Sequence, residues 1–342
     1  MAARVHTTWR AQEWRREDLE VAAGDVLDGL AVARREAGVA ERLAADPWRY
    51  LSTLATLGSL DLTVARAAEP HLDAVAVLAQ AGHPDLSSLG VDAASTFGVY
   101  AARAPGAVLV SRTAADGTTR VDGTKAWCSL STTVSHALVT VDAGARPGLH
   151  AVPLRHPGVV HDDGRWVPRG LAAVRTGSMT LTDVPTVAVG EGDWYLERPG
   201  FAWGGIGVAA VWFGAAAAVA GRLVDAARRR PPDQVALLHL GAVDRLLHGA
   251  LLSLRDAARA IGDGSADGRA GALLAARVRA VVADAAEEVL RAVGHGLGPA
   301  PLTADDEHAG RVADLTVYLR QHHAERDLAA LGALVLDGEE TR

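Results

Sequence analysis

The spacing of apolar residues changes twice along this chain and divides it into three segments. From about residue 10 to 90, apolar residues recur every three or four positions, as at Leu54, Leu57 and Leu60. This spacing predicts amphipathic helices. Asp46-Pro47 is typical of a helix start, with aspartate as the N-cap and proline at the first helical position. The first segment is therefore predicted to be helical.

The middle segment, from about residue 95 to 189, has a different texture. Short apolar or alternating runs are separated by glycine and aspartate, and a polar turn is predicted at Ala115-Asp116-Gly117. The clearest of these runs cover 107–111, 137–141, 149–154 and 178–182. Such runs predict β-strands in a small barrel or a folded sheet.

The third segment returns to helical spacing. Four long helices with short connections are predicted over 206–229, 233–261, 270–293 and 307–336, which is the pattern of a four-helix bundle. The predicted fold class is therefore α+β. Its three domains are an N-terminal helical domain (1–92), a central β domain (93–192) and a C-terminal four-helix bundle (193–342).

Composition narrows the function classes. A net charge of −7 with scattered Lys and Arg gives no electrostatic footprint for nucleic acid. The single cysteine, Cys128, excludes a disulfide framework and a multi-cysteine metal site. His136, His150, His156 and His161 lack metal-ligand spacing, so no metal is expected. The charged N-terminus lacks an export signal, and the apolar run 206–220 fits a buried helix better than a membrane span. We expect a cytoplasmic protein without membrane insertion.

One motif in the β segment points to a ligand. Residues 119–129 predict a strand, a turn at Asp122-Gly123 and a second strand carrying Trp127, Cys128 and Ser129. The two-residue period of a strand puts Trp127 and Ser129 on one face and Cys128 on the other. An aromatic wall beside a hydroxyl group could hold a flat heteroaromatic ring. Cys128 is expected to be a buried thiol.

The segment 123–131 resembles a signature of the acyl-CoA dehydrogenase flavoproteins. In that family the Trp and the following Thr or Ser lie against the flavin ring. The stretches 170–178 and 181–185 resemble further family segments, and the order of helices, sheet and bundle matches over nearly the whole chain. The resemblance implies FAD as cofactor, an acyl-CoA or other small-molecule substrate, an electron acceptor, and a homodimer or homotetramer.

The resemblance also implies cofactor contacts from the bundle. Gly296 and Gly298 stand where the family has a glycine-rich turn close to the cofactor of a neighbouring subunit. Glycines there would let backbone N–H groups approach a diphosphate, although a loop between helices also needs glycine as a cap. Arg230 and Gln234 are possible remnants of the segment by which family members bind a partner's cofactor.

The departures from the family leave the reaction open. The position of the usual catalytic Glu is occupied by His322, which could act as the base or could be part of the polar face of the last helix. We expect FAD-dependent α,β-dehydrogenation of an acyl thioester or a similar substrate. One alternative is a flavin-dependent monooxygenase with an apolar pocket lined by Trp194, Trp203 and Trp212, although core positions are commoner for such residues. The other is a non-catalytic partner in a hetero-oligomer with a related subunit.

Overall fold

The computed structural model describes residues 11–142, 147–162, 164 and 166–339. The outer limits of the predicted domains, residues 1 and 342, lie outside this part of the chain. The N-terminal helices are α1 (Val26–Arg35), α2 (Ala37–Glu41), α3 (Pro47–Leu60) and α4 (Leu62–Gln80). Helix α3 begins as predicted, because the Asp46 carboxylate accepts a hydrogen bond from the Arg49 N–H at 3.2 Å and Pro47 lies in the first turn.

Strands replace helices between residues 97 and 188. The described strands are β1 (Phe97–Tyr100), β2 (Leu109–Thr113), β3 (Thr119–Ser129), β4 (His136–Asp142), β5 (Pro147–Pro153), β6 (Val159–Asp162), β7 (Thr176–Pro185) and β8 (Val187–Ala188). Within the described residues they form one sheet in the order β6-β7-β3-β2-β4-β5-β8, and β1 pairs with β4 in parallel. The four predicted strand runs overlap β2, β4, β5 and β7.

The predicted turn at Asp122-Gly123 is wrong. Both residues lie inside the continuous strand β3, where the pairing with β7 shifts register between Val121 and Gly123. Gly123 has φ +122°, and a Cβ there would lie 2.1 Å from the Val108 carbonyl oxygen. The glycine therefore serves a β-bulge and a close backbone approach. The chain reverses instead at the predicted turn 115–117, between β2 and β3.

Long helices return after the sheet and confirm the predicted α+β fold class. They are α5 (Trp194–Glu197), α6 (Pro199–Arg229), α7 (Gln234–Gly262), α8 (Gly268–Leu297), α9 (Ala300–Ala304), α10 (Asp306–Tyr318) and α11 (Glu325–Glu339). Helix α6 ends at Arg229, as predicted, just before Pro231. Helix α8 continues to Leu297, so the predicted glycine-rich turn begins only at Gly298, which caps the helix with φ +66°.

The last predicted helix is interrupted, contrary to expectation. Helix α10 ends at Tyr318, a 3-10 turn covers Leu319–Gln321, and His322 is extended with φ −89° and ψ 121°. The Gln321 carbonyl lies at the end of the 3-10 turn. It accepts a hydrogen bond from Arg279 of α8 at 3.0 Å. A tertiary contact thus supports the break, which periodicity within one segment could not predict.

Two helices, Pro199–Arg229 and Gln234–Gly262, are long and apolar enough to cross a membrane by length and composition alone. In α6, 83% of the apolar window is buried inside the fold, as expected for a core helix. In α7 the buried share is 22%. Its exposed apolar side chains are Val235, Leu237, Leu238 and Leu252.

Helix α6 joins the N-terminal helices to the C-terminal ones. It packs against α3 so closely that a Cβ on Gly214 would lie 1.8 Å from the Ala55 carbonyl oxygen, and one on Gly58 would lie 2.3 Å from the Val211 oxygen. One continuous apolar core runs from the N-terminal helices through the sheet into α6, α7 and α8. The candidate site lies where α4 meets β3, at the contact of Arg66 with Ser129.

Candidate functional site

Trp127 presents its ring to solvent from a bulge in β3. The pairing of β3 with β7 shifts between Lys125 and Cys128, and Trp127 has φ +62° and is 62% exposed. A positive φ is uncommon for a bulky residue and is found where tertiary structure enforces it. The bulge changes the phase of the strand, since Val121 and Lys125 are buried before it and Cys128 after it. The exposed indole is therefore free to contact a ligand.

Ser129 is fixed two residues further on. Its Oγ lies 2.9 Å from Thr176 Oγ1 on β7 and accepts a hydrogen bond from Arg66 Nη2 of α4 at 3.4 Å. Its carbonyl oxygen accepts a 2.8 Å bond from the hydroxyl of the buried Tyr100. The hydroxyl pair of Ser129 and Thr176 is thus positioned by three neighbouring elements and lies beside a guanidinium group.

Cys128 is buried as predicted, with 1% exposure. Burial raises the pKa of its thiol to about 12, although Lys125 and a backbone hydrogen bond lower it. Since the thiolate is the reactive form, we expect Ellman's reagent to leave the native protein unmodified at pH 8 and to titrate one thiol after unfolding in guanidinium chloride. Rapid reaction of the native protein would contradict the described burial.

Three charged residues lie on one face of α4. Arg66, Glu69 and Asp73 follow one another at spacings of three and four residues. Arg66 Nη1 lies 3.4 Å from Glu69 Oε2. Glu69 is only 9% exposed, and burial raises the pKa of its carboxyl from 4.5 to about 7, with Arg66 acting in the opposite direction. A buried carboxyl with a pKa near neutrality, joined through Arg66 to Ser129, is a candidate acid–base group.

Arg66 also contacts a cluster of aromatic side chains. The Arg66 guanidinium carbon lies 5.7 Å from the centroid of the Tyr318 ring. Tyr318 contacts Trp212 edge to face at 6.2 Å, and Trp212 contacts the His322 ring at 6.4 Å. The Arg279 guanidinium carbon lies over the Trp212 ring, 4.8 Å from its centroid. We call this set the inner cluster: Arg66, Glu69, Trp212, Arg279, Tyr318 and His322.

Three polar atoms of the inner cluster are buried without a hydrogen-bond partner. They are the Tyr318 hydroxyl, Trp212 Nε1 and His322 Nε2. Burying such groups unsatisfied is unfavourable, and they concentrate where a bound group or ordered water would complete them. Desolvation lowers the pKa of His322, while Asp327, 3.8 Å away, raises it. The inner cluster therefore has three polar atoms that a polar ligand or ordered water would complete.

The structure brings two of the predicted site residues into one network. Ser129 contacts Arg66, Arg66 contacts Tyr318, and through Trp212 the network reaches His322. His322 lies in the break after α10 and is 9% exposed, so it does not belong to a polar helix face. The network is the physical basis for treating the two residues as parts of one site.

The predicted apolar pocket takes a different form. Trp203 Nε1 donates to the Ala266 carbonyl at 2.9 Å, and Trp212 is completely buried. Trp194 packs at the end of the sheet under Arg198, 5.9 Å from the guanidinium carbon. Their described contacts thus place these tryptophans in separate surroundings, whereas the side chains that α4 contributes near Ser129 are charged.

The remaining predicted cofactor residues lie at the other end of the bundle. Gly296 is packed, since a Cβ there would lie 2.9 Å from Leu223 Cδ2, and Leu223 is roughly 16 Å along α6 from Trp212. Arg230 is exposed and follows α6, roughly 27 Å along the helix from Trp212. Gly298 ends α8 nearby. Within one chain these residues are separate from Ser129, and their cofactor contacts stay a prediction about a neighbouring subunit.

Sequence reasoning missed the charged face of α4. Arg66, Glu69 and Asp73 interrupt a helix whose other faces are mostly apolar and buried. This alternation is the signal that could have identified them, because charged residues are rarely buried unless they are paired or functional. Among the residues that the structure describes, no group of three or more His, Cys, Asp or Glu could hold a metal ion.

Solved structures share this architecture. The chain is similar to KijD3 in complex with FMN and dTDP-3-amino-2,3,6-trideoxy-4-keto-3-methyl-D-glucose, with a TM-score of 0.74, 19% identity and coverage of 92% of both chains. Butyryl-CoA dehydrogenase from Megasphaera elsdenii gives a TM-score of 0.74 and 16% identity over 93% of this chain and 100% of that one. FMN-bound TdsC from Paenibacillus sp. A11-2, a dibenzothiophene monooxygenase, gives 0.72 and 14% over 91% and 97%. No protein-family description and no curated protein matches the sequence.

Proposed function

We propose that this chain, which has the acyl-CoA dehydrogenase fold, is a flavin-dependent oxidoreductase. Its site would lie where β3 meets α4. The similar proteins are flavin-binding enzymes with different reactions, among them a dehydrogenase and a monooxygenase. One observation carries the proposal: Ser129 beside the exposed Trp127 is joined through Arg66 to a buried carboxyl, Glu69, with a pKa of about 7.

The flavin ring would lie against the exposed Trp127 indole. The hydroxyl pair of Ser129 and Thr176 would hydrogen-bond its polar edge, and Arg66 would supply positive charge close by. Both FMN and FAD carry this ring. FAD is the cofactor that the sequence resemblance implies, and it would draw on Gly296, Gly298 and Arg230 of a second subunit in a homodimer or homotetramer. FMN would need only the ring site and a phosphate site.

When bound, a flavin supplies two-electron chemistry, either taking a hydride from a substrate or activating oxygen in its reduced form. The residues of this chain orient the substrate and move protons. Glu69 is the better proton acceptor of the two candidates, because the pKa of its carboxyl lies near neutrality. His322 lies beyond Tyr318 and Trp212 and would position these rings. We therefore assign the acid–base role to Glu69 rather than to His322.

The charged side chains of α4 bear on the substrate. Arg66, Glu69 and Asp73 would offer hydrogen bonds to a polar substrate, and a hydrocarbon chain offers these groups none. They favour oxidation of a small polar substrate over dehydrogenation of an acyl chain, although the apolar tryptophan pocket expected for a monooxygenase is not formed. Dehydrogenation of an acyl thioester, with electrons passed to a separate acceptor, is the second candidate, which rests on the base-like position of His322.

The test is flavin binding by the purified protein. We expect the wild-type chain to retain a flavin absorption spectrum after incubation with FAD or FMN and desalting. Trp127→Ala should weaken flavin affinity about ten-fold or more, because the ring loses its stacking surface. The matched control is Leu27→Ala, which removes a 68% exposed apolar side chain from α1 and should leave flavin affinity unchanged.

The outcomes separate the alternatives. Undiminished flavin affinity in Trp127→Ala would contradict the placement of the ring. Absence of bound flavin from the folded wild-type chain, with both cofactors, would overturn the proposed function and favour a non-catalytic partner in a hetero-oligomer.

A further inference from the structure

Asp73 and Arg198 face the same side of α6 one helical turn apart. A Cβ on Gly204 would lie 3.0 Å from Asp73 Oδ1, and a Cβ on Gly200 would lie 2.3 Å from Arg198 Nη1. Residues four apart on a helix are neighbours on one face, about 5 to 6 Å apart. The two glycines thus leave room for the Asp73 carboxylate at one position and for the Arg198 guanidinium and the Gln80 amide at the other. We call this place the glycine slot: Asp73, Arg198, Gly200 and Gly204.

The two charged groups of the glycine slot do not pair with each other. Among the described residues, no hydrogen bond or ion pair involves the Asp73 carboxylate, so its distance to Arg198 exceeds that of a salt bridge. Arg198 Nη1 donates to Gln80 Oε1 at 2.6 Å, while its Nε is buried without a partner although the residue is only 5% exposed. A buried donor, Arg198 Nε, is therefore left without an acceptor near a solvent-accessible carboxylate that pairs with no described residue, and one ligand could satisfy both groups.

Asp73 is half-buried. Burial raises the pKa of its carboxyl, while the charge of Arg198 lowers it. The rings of Trp194 and Tyr195 cover Arg198, with centroids 5.9 and 5.1 Å from its guanidinium carbon. Glu69 of the inner cluster lies one turn before Asp73 on α4. The glycine slot thus lies one helical turn along α4 from the carboxyl that the proposed function uses.

The unsatisfied atoms define what the glycine slot can bind. A hydroxyl group donates one hydrogen bond and accepts others, so it can donate to Asp73 and accept from Arg198 Nε. An ammonium group would lie near Arg198 at a Coulombic cost. A carboxylate would lie near Asp73 and would find only one of the two parallel donors that arginine usually offers it.

We propose that Asp73 and Arg198 are specificity residues that bind a neutral hydroxyl-bearing group of the substrate, such as a vicinal diol. This inference rests on the proposed function, since it extends the same site along α4. It places the hydroxylated part of the substrate against α6 and leaves the reacting part toward Glu69 and Trp127.

The test compares three compounds of one size by ligand-observed NMR on the flavin-free chain. They are cis-1,2-cyclohexanediol, cyclohexylamine and cyclohexanecarboxylate. We expect the diol to bind most tightly and the two charged compounds to bind at least several-fold more weakly. Asp73→Asn should weaken diol binding about ten-fold, because a charge-assisted hydrogen bond is replaced by a neutral one.

Two further variants make the result specific. Gly204→Ala leaves both charges in place but fills the space beside Asp73, so it should also weaken diol binding. Asp244→Asn, on the exposed surface of α7, should leave it unchanged. Tighter binding of the amine, equal binding by Asp73→Asn, or no diol binding by the folded protein would each overturn the inference. Flavin titration of the same samples keeps that failure separate from a failure of the proposed function.

Discussion

Glu69→Gln is expected to remove a large pH dependence from the stability of this protein. The pKa of the Glu69 carboxyl is raised by burial from 4.5 to about 7. Between these values the folded protein binds more protons than the unfolded chain, so stability falls as the pH rises through this range. The full interval corresponds to on the order of 3 kcal/mol. Glutamine keeps an oxygen for Arg66 and carries no charge at any pH.

The measurement is urea unfolding of both proteins from about pH 5.5 to pH 8. The variant should be the more stable protein, and its advantage should grow by roughly 2 kcal/mol over this range. Using the difference between the two proteins cancels the titration of groups that they share. Glu20→Gln, at an exposed position, is the matched control for a Glu→Gln change. A flat difference for Glu69→Gln would contradict the assignment of a near-neutral carboxyl.

The same variant tests the acid–base role. Once a substrate is available, Glu69→Gln should retain flavin and lose turnover by about a hundred-fold or more. His322→Ala should change substrate affinity more than it changes the pH dependence of turnover. Loss of the pH dependence in His322→Ala alone would reverse the assignment.

Gly214→Ala is expected to be the most damaging single-methyl change in the helical core. A Cβ at this position would lie 1.8 Å from the Ala55 carbonyl oxygen and 3.0 Å from the Ser59 nitrogen. The obstacle is backbone, so α3 and α6 must separate. We expect a loss of at least about 3 kcal/mol in the free energy of unfolding, or failure to obtain folded protein.

Gly241→Ala is the matched control for this change. It lies in the exposed part of α7, where a Cβ would meet nothing within 4 Å. Alanine favours helix, so this variant should be as stable as the wild type or up to about 1 kcal/mol more stable. The comparison uses guanidinium chloride unfolding curves. Equal stabilities for the two variants would show that α3 and α6 can separate without cost.

The prediction of secondary structure succeeded where periodicity and caps agree. The start of α3 at Pro47, the end of α6 before Pro231 and the turn at 115–117 depend on residues adjacent in sequence, and all three are confirmed. The same reasoning placed a turn at Asp122-Gly123. That error arose because Asp-Gly suits a β-bulge as well as a hairpin, and only the neighbouring strands decide between the two.

The sequence by itself determined the α+β class, the order of helices and strands, and the burial of Cys128, because these depend on local spacing. Tertiary structure alone decided the break that buries His322 and the bulge that exposes Trp127. It also decided that Arg66 joins Glu69 to Ser129. These features depend on contacts between distant segments, such as Arg66 with Ser129 and Arg279 with Gln321. The pKa of Glu69 has the same origin, since helices packed around a carboxyl remove the water that would keep it charged.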